Sequence, residues 1–258
     1  MITAASNSRI KRLVQLNQKS KLRRTEDVFL AEGVKMFLEA PREQLQEVYV
    51  SESFLEKCSC REHMEEVGYE VVSDSVFSKI SDTCTPQGVL CVLKQFHYNI
   101  EEMLRDKAPL FLLLENIQDP GNLGTMLRTG EGAGVSGIIM SRDTVDLYNP
   151  KVIRSTMGSI YRVPFYYADD FAAAVHQVQQ AGVSVYAAHL RGKNSYACQD
   201  YTKGTAFLIG NEGNGLREET AELADCYIRI PMEGKVESLN AAVASSILMY
   251  EAHRRRGI

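Results

Sequence analysis

No stretch of this 258-residue sequence holds roughly 18 consecutive apolar residues, so no segment reads as a membrane-spanning helix. The opening MITAASNSRIKRLVQLNQKSKLRRT is basic and lacks the apolar core of a signal peptide, so a cytoplasmic protein without membrane association is expected. The six cysteines, at 58, 60, 84, 91, 198 and 226, form no CxxC pair, and Cys58-Ser-Cys60 has only His63 nearby. Reduced thiols and no metal site are expected. No G-x-S-x-G elbow and no phosphate loop ending in G-K-[ST] occurs, which removes the leading support for hydrolase and kinase chemistry.

What is present suits a globular chain: 45% hydrophobic and 24% charged residues, enough to bury a core and to form two domains. The net charge is −4, yet residues 1–25 carry seven basic residues and no acid, leaving −11 for the rest. These are Arg9, Lys11, Arg12, Lys19, Lys21, Arg23 and Arg24, and the chain closes with His253, Arg254, Arg255 and Arg256. Charge alone leaves two readings open, a solvated helix face with a dipole-complementing C-terminus or two phosphate-contacting patches.

Composition changes near residue 100. Before it, VFLAEGVKMFLEA, QEVYVS and YEVVS alternate strand and helix patterns, and the turn Thr85-Pro86-Gln87-Gly88 leads into an apolar strand, Val89 to Leu93. NIEEMLRDKAP suits a short helical linker. The expected division is an N-terminal α/β domain over 1–95, a linker over 96–108 and a larger domain over 109–258. In that second part PLFLLLEN, SGIIMSR, VSVYAAHLRG, TAFLIGNEG and CYIRIPMEG are short continuous apolar runs separated by helical segments. Continuous runs mark strands covered on both faces, which predicts an α/β fold with a mostly parallel sheet flanked by helices.

Ligands in such sheets sit at the carboxyl ends of strands, and three of those ends are polar and glycine-containing: ENIQDPGNLGTMLRTGEGAG, GNEGNGL and PMEGKVESLN. Gly132-Ala-Gly134-Val-Ser-Gly137 matches GxGxxG, but it follows a helix pattern and precedes a strand, the wrong order for a dinucleotide site, so it reads as a helix end and turn. Single loops of this kind have structural readings too. Asn122 can cap a helix starting at Leu123, and Ser238 one starting at Leu239. Leu239 also heads a helical stripe with Val243, Ile247 and Tyr250 that is expected in the core.

Together the three loops resemble the SpoU (TrmH) family of RNA ribose 2′-O-methyltransferases of the SPOUT class. N-x-x-x-x-x-R is matched by Asn122 and Arg128, G-x-E-x-x-G by Gly210, Glu212 and Gly215, and I-P-M…S-L-N by Ile230, Pro231, Met232, Ser238, Leu239 and Asn240. The likeness spans about residues 109–255. The first hundred residues are similar to the family's small RNA substrate-binding domain through AEGVKMFLEA and TPQGV.

The resemblance implies a deep C-terminal trefoil knot, S-adenosylmethionine as cofactor, RNA as substrate, with 23S rRNA favoured by domain analogy, and a homodimer. It places Gly210, Ile230 and Leu239 at the cofactor and Asn122, Arg128, Glu212, Ser238 and Asn240 in the catalytic machinery. Arg128 would bind phosphate or the developing oxyanion, with the role of base for the ribose hydroxyl as its alternative, Asn122, Ser238 and Asn240 would orient Arg128 and the ribose, and Glu212 would hold the second loop or serve structure alone. The small residues Ala241, Ala242, Ala244 and Ser245 would permit close helix contact in the dimer. A tRNA ribose methyltransferase, a non-catalytic RNA-binding or ribosome-assembly protein and a nucleotide-binding regulatory domain are the alternatives. Intact Arg128, Ser238 and Asn240 speak against the second, and the missing phosphate-loop lysine against the third.

Overall fold

The computed structural model describes residues 1–58 and 60–257; Ser59, inside the Cys58–Cys60 pair singled out above, and Ile258 lie outside the described residues. In chain order the elements are α1 (Ser8–Gln18), α2 (Ser20–Glu26), β1 (Val28–Glu32), α3 (Val34–Leu38), β2 (Leu45–Ser51), α4 (Glu52–Lys57), α5 (Arg61–Val67), β3 (Glu70–Val72), α6 (Asp74–Ile80), β4 (Val89–Lys94) and α7 (Ile100–Met103). There follow β5 (Leu110–Leu114), α8 (Pro120–Ala133), β6 (Gly137–Ser141), α9 (Pro150–Thr156), β7 (Phe165–Ala168), α10 (Phe171–Gln180), β8 (Ser184–Ala188), β9 (Asn194–Ser195), β10 (Thr205–Ile209), α11 (Glu218–Ala221), β11 (Cys226–Arg229) and α12 (Ala241–Arg255). Among the described residues no helix is long and apolar enough to cross a membrane.

The chain forms two compact units, one of Met1–Phe96 with Asp146–Tyr161, the other of His97–Val145 with the residues from Arg162 onward. The first is built on a mixed sheet in the order β1-β4-β2-β3, with β4 antiparallel to both neighbours and β2 parallel to β3. Ile10, Leu13 and Leu16 recur at helical spacing on α1 and bury against Phe77, Ile80 and Val92. The TPQG turn needs its glycine: Gly88 has φ 83°, and a Cβ there would lie 2.4 Å from the Phe54 Cβ.

The basic N-terminus is no free arm. It forms α1 and α2, and three of its seven cations are held by the unit itself. Arg9 pairs with Glu70 and Arg12 with Glu26 and Glu47. Arg23 is 3% exposed, donates to the Leu16 carbonyl and pairs with Asp146 at 2.5 Å. Lys11, Lys19, Lys21 and Arg24 remain exposed.

The second unit is a seven-stranded sheet in the order β7-β6-β5-β10-β8-β11-β9, parallel at every pairing. Every residue of β5, β6 and β10 is buried, as continuous apolar runs require when helices cover both faces. Two edge strands escape the sequence pattern. β7 is four residues long with only its first and last buried, and β9 is two residues long, too short to make a run. The GAGVSG stretch ends α8 at the left-handed Gly134 and opens β6 at Gly137, as its order implies.

The order of strand addition reverses between β5, which leads outward to β6 and β7, and β10, which borders β8 on its other side. That switch point is where a crevice opens beyond the carboxyl ends of the strands.

Candidate functional site

The loop leaving β10 explains its own glycines. Asn211 and Gly215 exchange backbone hydrogen bonds at 3.0 and 2.9 Å, folding GNEGNG back on itself, and the Asn211 Oδ1 accepts from the amides of Gly213 and Asn214. A Cβ on Gly210 would lie 2.2 Å from the Gly215 carbonyl carbon and the Leu216 nitrogen, so no side chain fits.

Glu212 ties this loop to the one after β5. Its carboxylate accepts from the backbone amides of Gln118 (3.1 Å) and Asp119 (3.0 Å) and from Asn122 Nδ2 (3.1 Å). Burial works to raise this carboxyl's pKa, but the Asn122 amide and the Asp119 and Gln118 N–H groups outweigh it and hold the pKa below the ordinary value.

Asn122 Oδ1 in turn accepts from Asn240 Nδ2 at 2.9 Å, and Asn240 Oδ1 accepts from the amides of Ala242 and Val243. The caps therefore sit elsewhere than the sequence suggests. Asp119 caps α8, leaving the Asn122 side chain free for Glu212, and Asn240 rather than Ser238 caps α12. The signal for Asp119 was the proline after it, since Pro120 occupies the first helical turn.

Sequence reasoning missed a second carboxylate. Glu115, at the end of β5, is 1% exposed and accepts from the Arg217 amide at 2.8 Å and Thr220 Oγ1 at 2.5 Å. It clamps the far end of the β10 loop.

Between the carboxyl ends of β8, β10 and β11 lies a cavity of about 310 Å³, within the range of small-molecule sites. Gly210, Glu212, Ile230, Ser238 and Leu239 line it, together with His189 and Leu190, which carried no motif. Asn122 and Asn240 do not line the cavity but brace its wall through Glu212 and the α12 cap. Arg128 is brought to neither group. It is exposed on α8 and, among the described residues, has no hydrogen-bond or ion-pair partner, so no contact with Asn122, Ser238 or Asn240 orients it within one chain.

Of the stripe expected in the core, Leu239 and Ile247 are half-buried and the other two members are exposed. Val243 and Tyr250 are 48% and 49% exposed, whereas Ala241, Ala242 and Ser245 are buried. Small side chains let α12 lie close to α8, where Met249 approaches Gly130 and Ser246 approaches Thr129; Leu248 and Met249 are buried on the inner side, while Val243 and Tyr250 face outward. Among the described residues no group of three or more His, Cys, Asp or Glu is placed to hold a metal ion.

A parallel α/β sheet whose switch-point loops build a glycine-cradled cavity, accompanied by a small α/β unit with exposed cations on α1 and α2, defines the class of an α/β enzyme that takes a small-molecule ligand at its strand ends. Comparison with known proteins makes this specific. Residues 109–250 match the SpoU rRNA Methylase family and residues 7–91 the MRM3-like substrate binding domain. The 23S rRNA (guanosine(2553)-2′-O)-methyltransferase RlmP of Bacillus subtilis is 32% identical over 96% of this chain and 97% of its own length. The AdoMet-bound rRNA methyltransferase of Sinorhizobium meliloti superposes with a TM-score of 0.85 at 31% identity, covering 98% of this chain and 97% of that one. The SpoU methyltransferase AviRb of Streptomyces viridochromogenes, in complex with AdoMet, gives 0.88 at 26% identity over 97% and 98% of the two chains.

The chain belongs to the SpoU rRNA methylase family. It is an RNA 2′-O-ribose methyltransferase with S-adenosylmethionine as the methyl donor.

Proposed function

We propose that this enzyme methylates a ribose 2′-hydroxyl of 23S rRNA in the cytoplasm, with S-adenosylmethionine seated in the cavity between β8, β10 and β11. The observation that carries the reading is the hydrogen-bonded chain Asn240–Asn122–Glu212, which joins all three family motifs at the wall of a cavity that Gly210, Ile230 and Leu239 also line. Full-length similarity to the Bacillus RlmP favours ribosomal over transfer RNA.

S-adenosylmethionine supplies an electrophilic sulfonium methyl; the protein must align the ribose oxygen with it and help that oxygen lose its proton. The backbone cradle at Gly210, Ile230 and Leu239 holds the cofactor, and Ser238 offers a hydroxyl at the same wall to the ribose. Glu212, Asn122 and Asn240 keep the three loops in register. A guanidinium donates hydrogen bonds and accepts none, so the part of Arg128 is to bind a phosphate or the developing oxyanion, for which an unpaired, exposed guanidinium is suited.

The exposed Val243 and Tyr250 on α12 support a homodimer formed through that face. Arg128 borders it: Gly132 lies one helical turn further along α8, and the Tyr250 hydroxyl sits 3.0 Å from where a Gly132 Cβ would be. The Gly210–Leu216 loop folds back so tightly that Gly210 has no room for a side chain, and this, with the SpoU family match, supports a chain threaded into a trefoil knot. The exposed cations of α1 and α2 and the substrate-domain match support RNA binding by the first unit.

The deciding experiment is to map ribose methylation in ribosomal RNA from cells lacking the gene and to restore it with purified protein and S-adenosylmethionine. One 23S position should lose its methyl group and regain it. A transfer RNA position lost instead would replace the substrate, and no lost position would leave the non-catalytic reading standing.

A further inference from the structure

His189 belongs to none of the three motifs, yet it stands in the cavity wall where β8 ends. Its backbone is fixed on both sides, the amide donating to the Ile228 carbonyl at 3.1 Å and the carbonyl accepting from Gly192 at 2.9 Å. Its ring is half-buried and packs on Tyr227 with centroids 5.0 Å apart. Nδ1 accepts the backbone N–H of Arg191 at 3.1 Å. A backbone amide can only donate, so Nδ1 carries no proton and the neutral ring must carry it on Nε2.

We infer that His189 is a cofactor-contacting residue: its Nδ1 is engaged by the Arg191 turn, and its Nε2–H donates to S-adenosylmethionine in the cavity. The inference rests on the cavity being the cofactor site. Protonation would set the new Nδ1–H against the Arg191 N–H, donor against donor, and would place a second positive charge beside a sulfonium cofactor. The surroundings keep the ring neutral. Desolvation, and then the charge of Arg191, lower its pKa from 6.5 while Glu218, itself paired with Arg191, opposes them. Glu212, Glu237 and Arg229 are the other charged side chains lining the cavity. Affinity should therefore be complete at neutral pH and fall as pH drops through a value below 6.5.

Calorimetric titration of the full chain with S-adenosylmethionine between pH 5 and 8 tests this. His189→Ala should weaken binding about tenfold at neutral pH, the scale of one hydrogen bond. His189→Gln, whose amide nitrogen reaches the Nε2 position, should keep most of the affinity. His189→Asn, which replaces only the Nδ1 acceptor, should bind like the alanine variant. All three should lose the acid-side decline. Alanine binding within twofold of the unmodified protein, an acid-side decline that persists in that variant, or rescue by Asn and not by Gln would overturn the assignment. Failure of the unmodified protein to bind at any pH would instead overturn the placement of the cofactor.

Discussion

Asn240 donates its side-chain amide to the Asn122 carbonyl oxygen at 2.9 Å, joining residues 118 positions apart in the chain. Because Asn122 passes the connection to Glu212 at 3.1 Å, the loops after β5, β10 and β11 are coupled side chain to side chain. Removing the middle member should loosen all three. Asn122→Ala is expected to lower S-adenosylmethionine affinity at least tenfold and to cost about 1–3 kcal/mol of stability, because the Glu212 and Asn240 groups it served lose their partner. Titration calorimetry and urea unfolding on the same sample check both figures.

Glu212 makes the second unit acid-sensitive in a defined direction. Its folded-state pKa lies below its unfolded value of about 4.3, so its stabilisation is complete above that value and is lost as pH falls through the folded pKa. Glu212→Gln should flatten this acid limb in stability-versus-pH curves and lower stability at pH 7. An unchanged limb would place the titrating group elsewhere.

Arg128 separates chemistry from cofactor binding. Arg128→Ala should slow methyl transfer by roughly 10²-fold to 10⁴-fold, the range for a positioned charge-stabilising group, with S-adenosylmethionine affinity unchanged. Arg128→Lys keeps the charge and loses the planar fork, so a comparable loss there would assign the effect to bidentate geometry. Single-turnover rates near normal in the alanine variant, at saturating RNA, would remove Arg128 from the reaction.

The basic helices divide into two tasks. Neutralising the exposed Lys19, Lys21 and Arg24 together should flatten the salt dependence of RNA binding and leave stability within about 0.5 kcal/mol per site. Arg23→Ala should act oppositely, costing about 2 kcal/mol of stability by stripping Asp146 and the Leu16 carbonyl of their donor, with little change in salt slope. Filter binding over a salt series and thermal melts read the two effects separately.

If the proposed homodimer forms through α12, Val243→Glu combined with Tyr250→Glu should convert the protein to the 28.9 kDa monomer mass in light scattering at micromolar concentration. A monomer mass for the unmodified protein would remove the proposed interface.

Much was legible in the chain because the forces involved are local or periodic. PLFLLLEN, SGIIMSR and TAFLIGNEG read as buried parallel strands because continuous apolar runs leave no wet face. The motif residues were recognised by their likeness to the SpoU family, not by periodicity. The α12 stripe misplaced Val243 and Tyr250: a helical stripe reports amphipathicity, not which neighbour comes closest, and the glycine-bearing face of α8 takes the side of α12 that carries Ser246 and Met249. Asn122 and Ser238 looked like caps because cap propensity belongs to residue type, while Asp119 and Asn240 hold the positions from which a side chain reaches the first free amides.

The sequence by itself determined the strands, the helices between them and the three glycine-bearing loops, since hydrophobic periodicity and backbone freedom are properties of short segments. Only the tertiary structure decided that Asp146–Tyr161 joins the first unit, that Arg23 is spent on Asp146, that Glu115 and Glu212 clamp one loop from its two ends, and that His189 stands in the cavity wall. Each of these pairs groups far apart in the chain. Long-range pairing depends on which strands become neighbours in the sheet, and no periodicity within a segment encodes that.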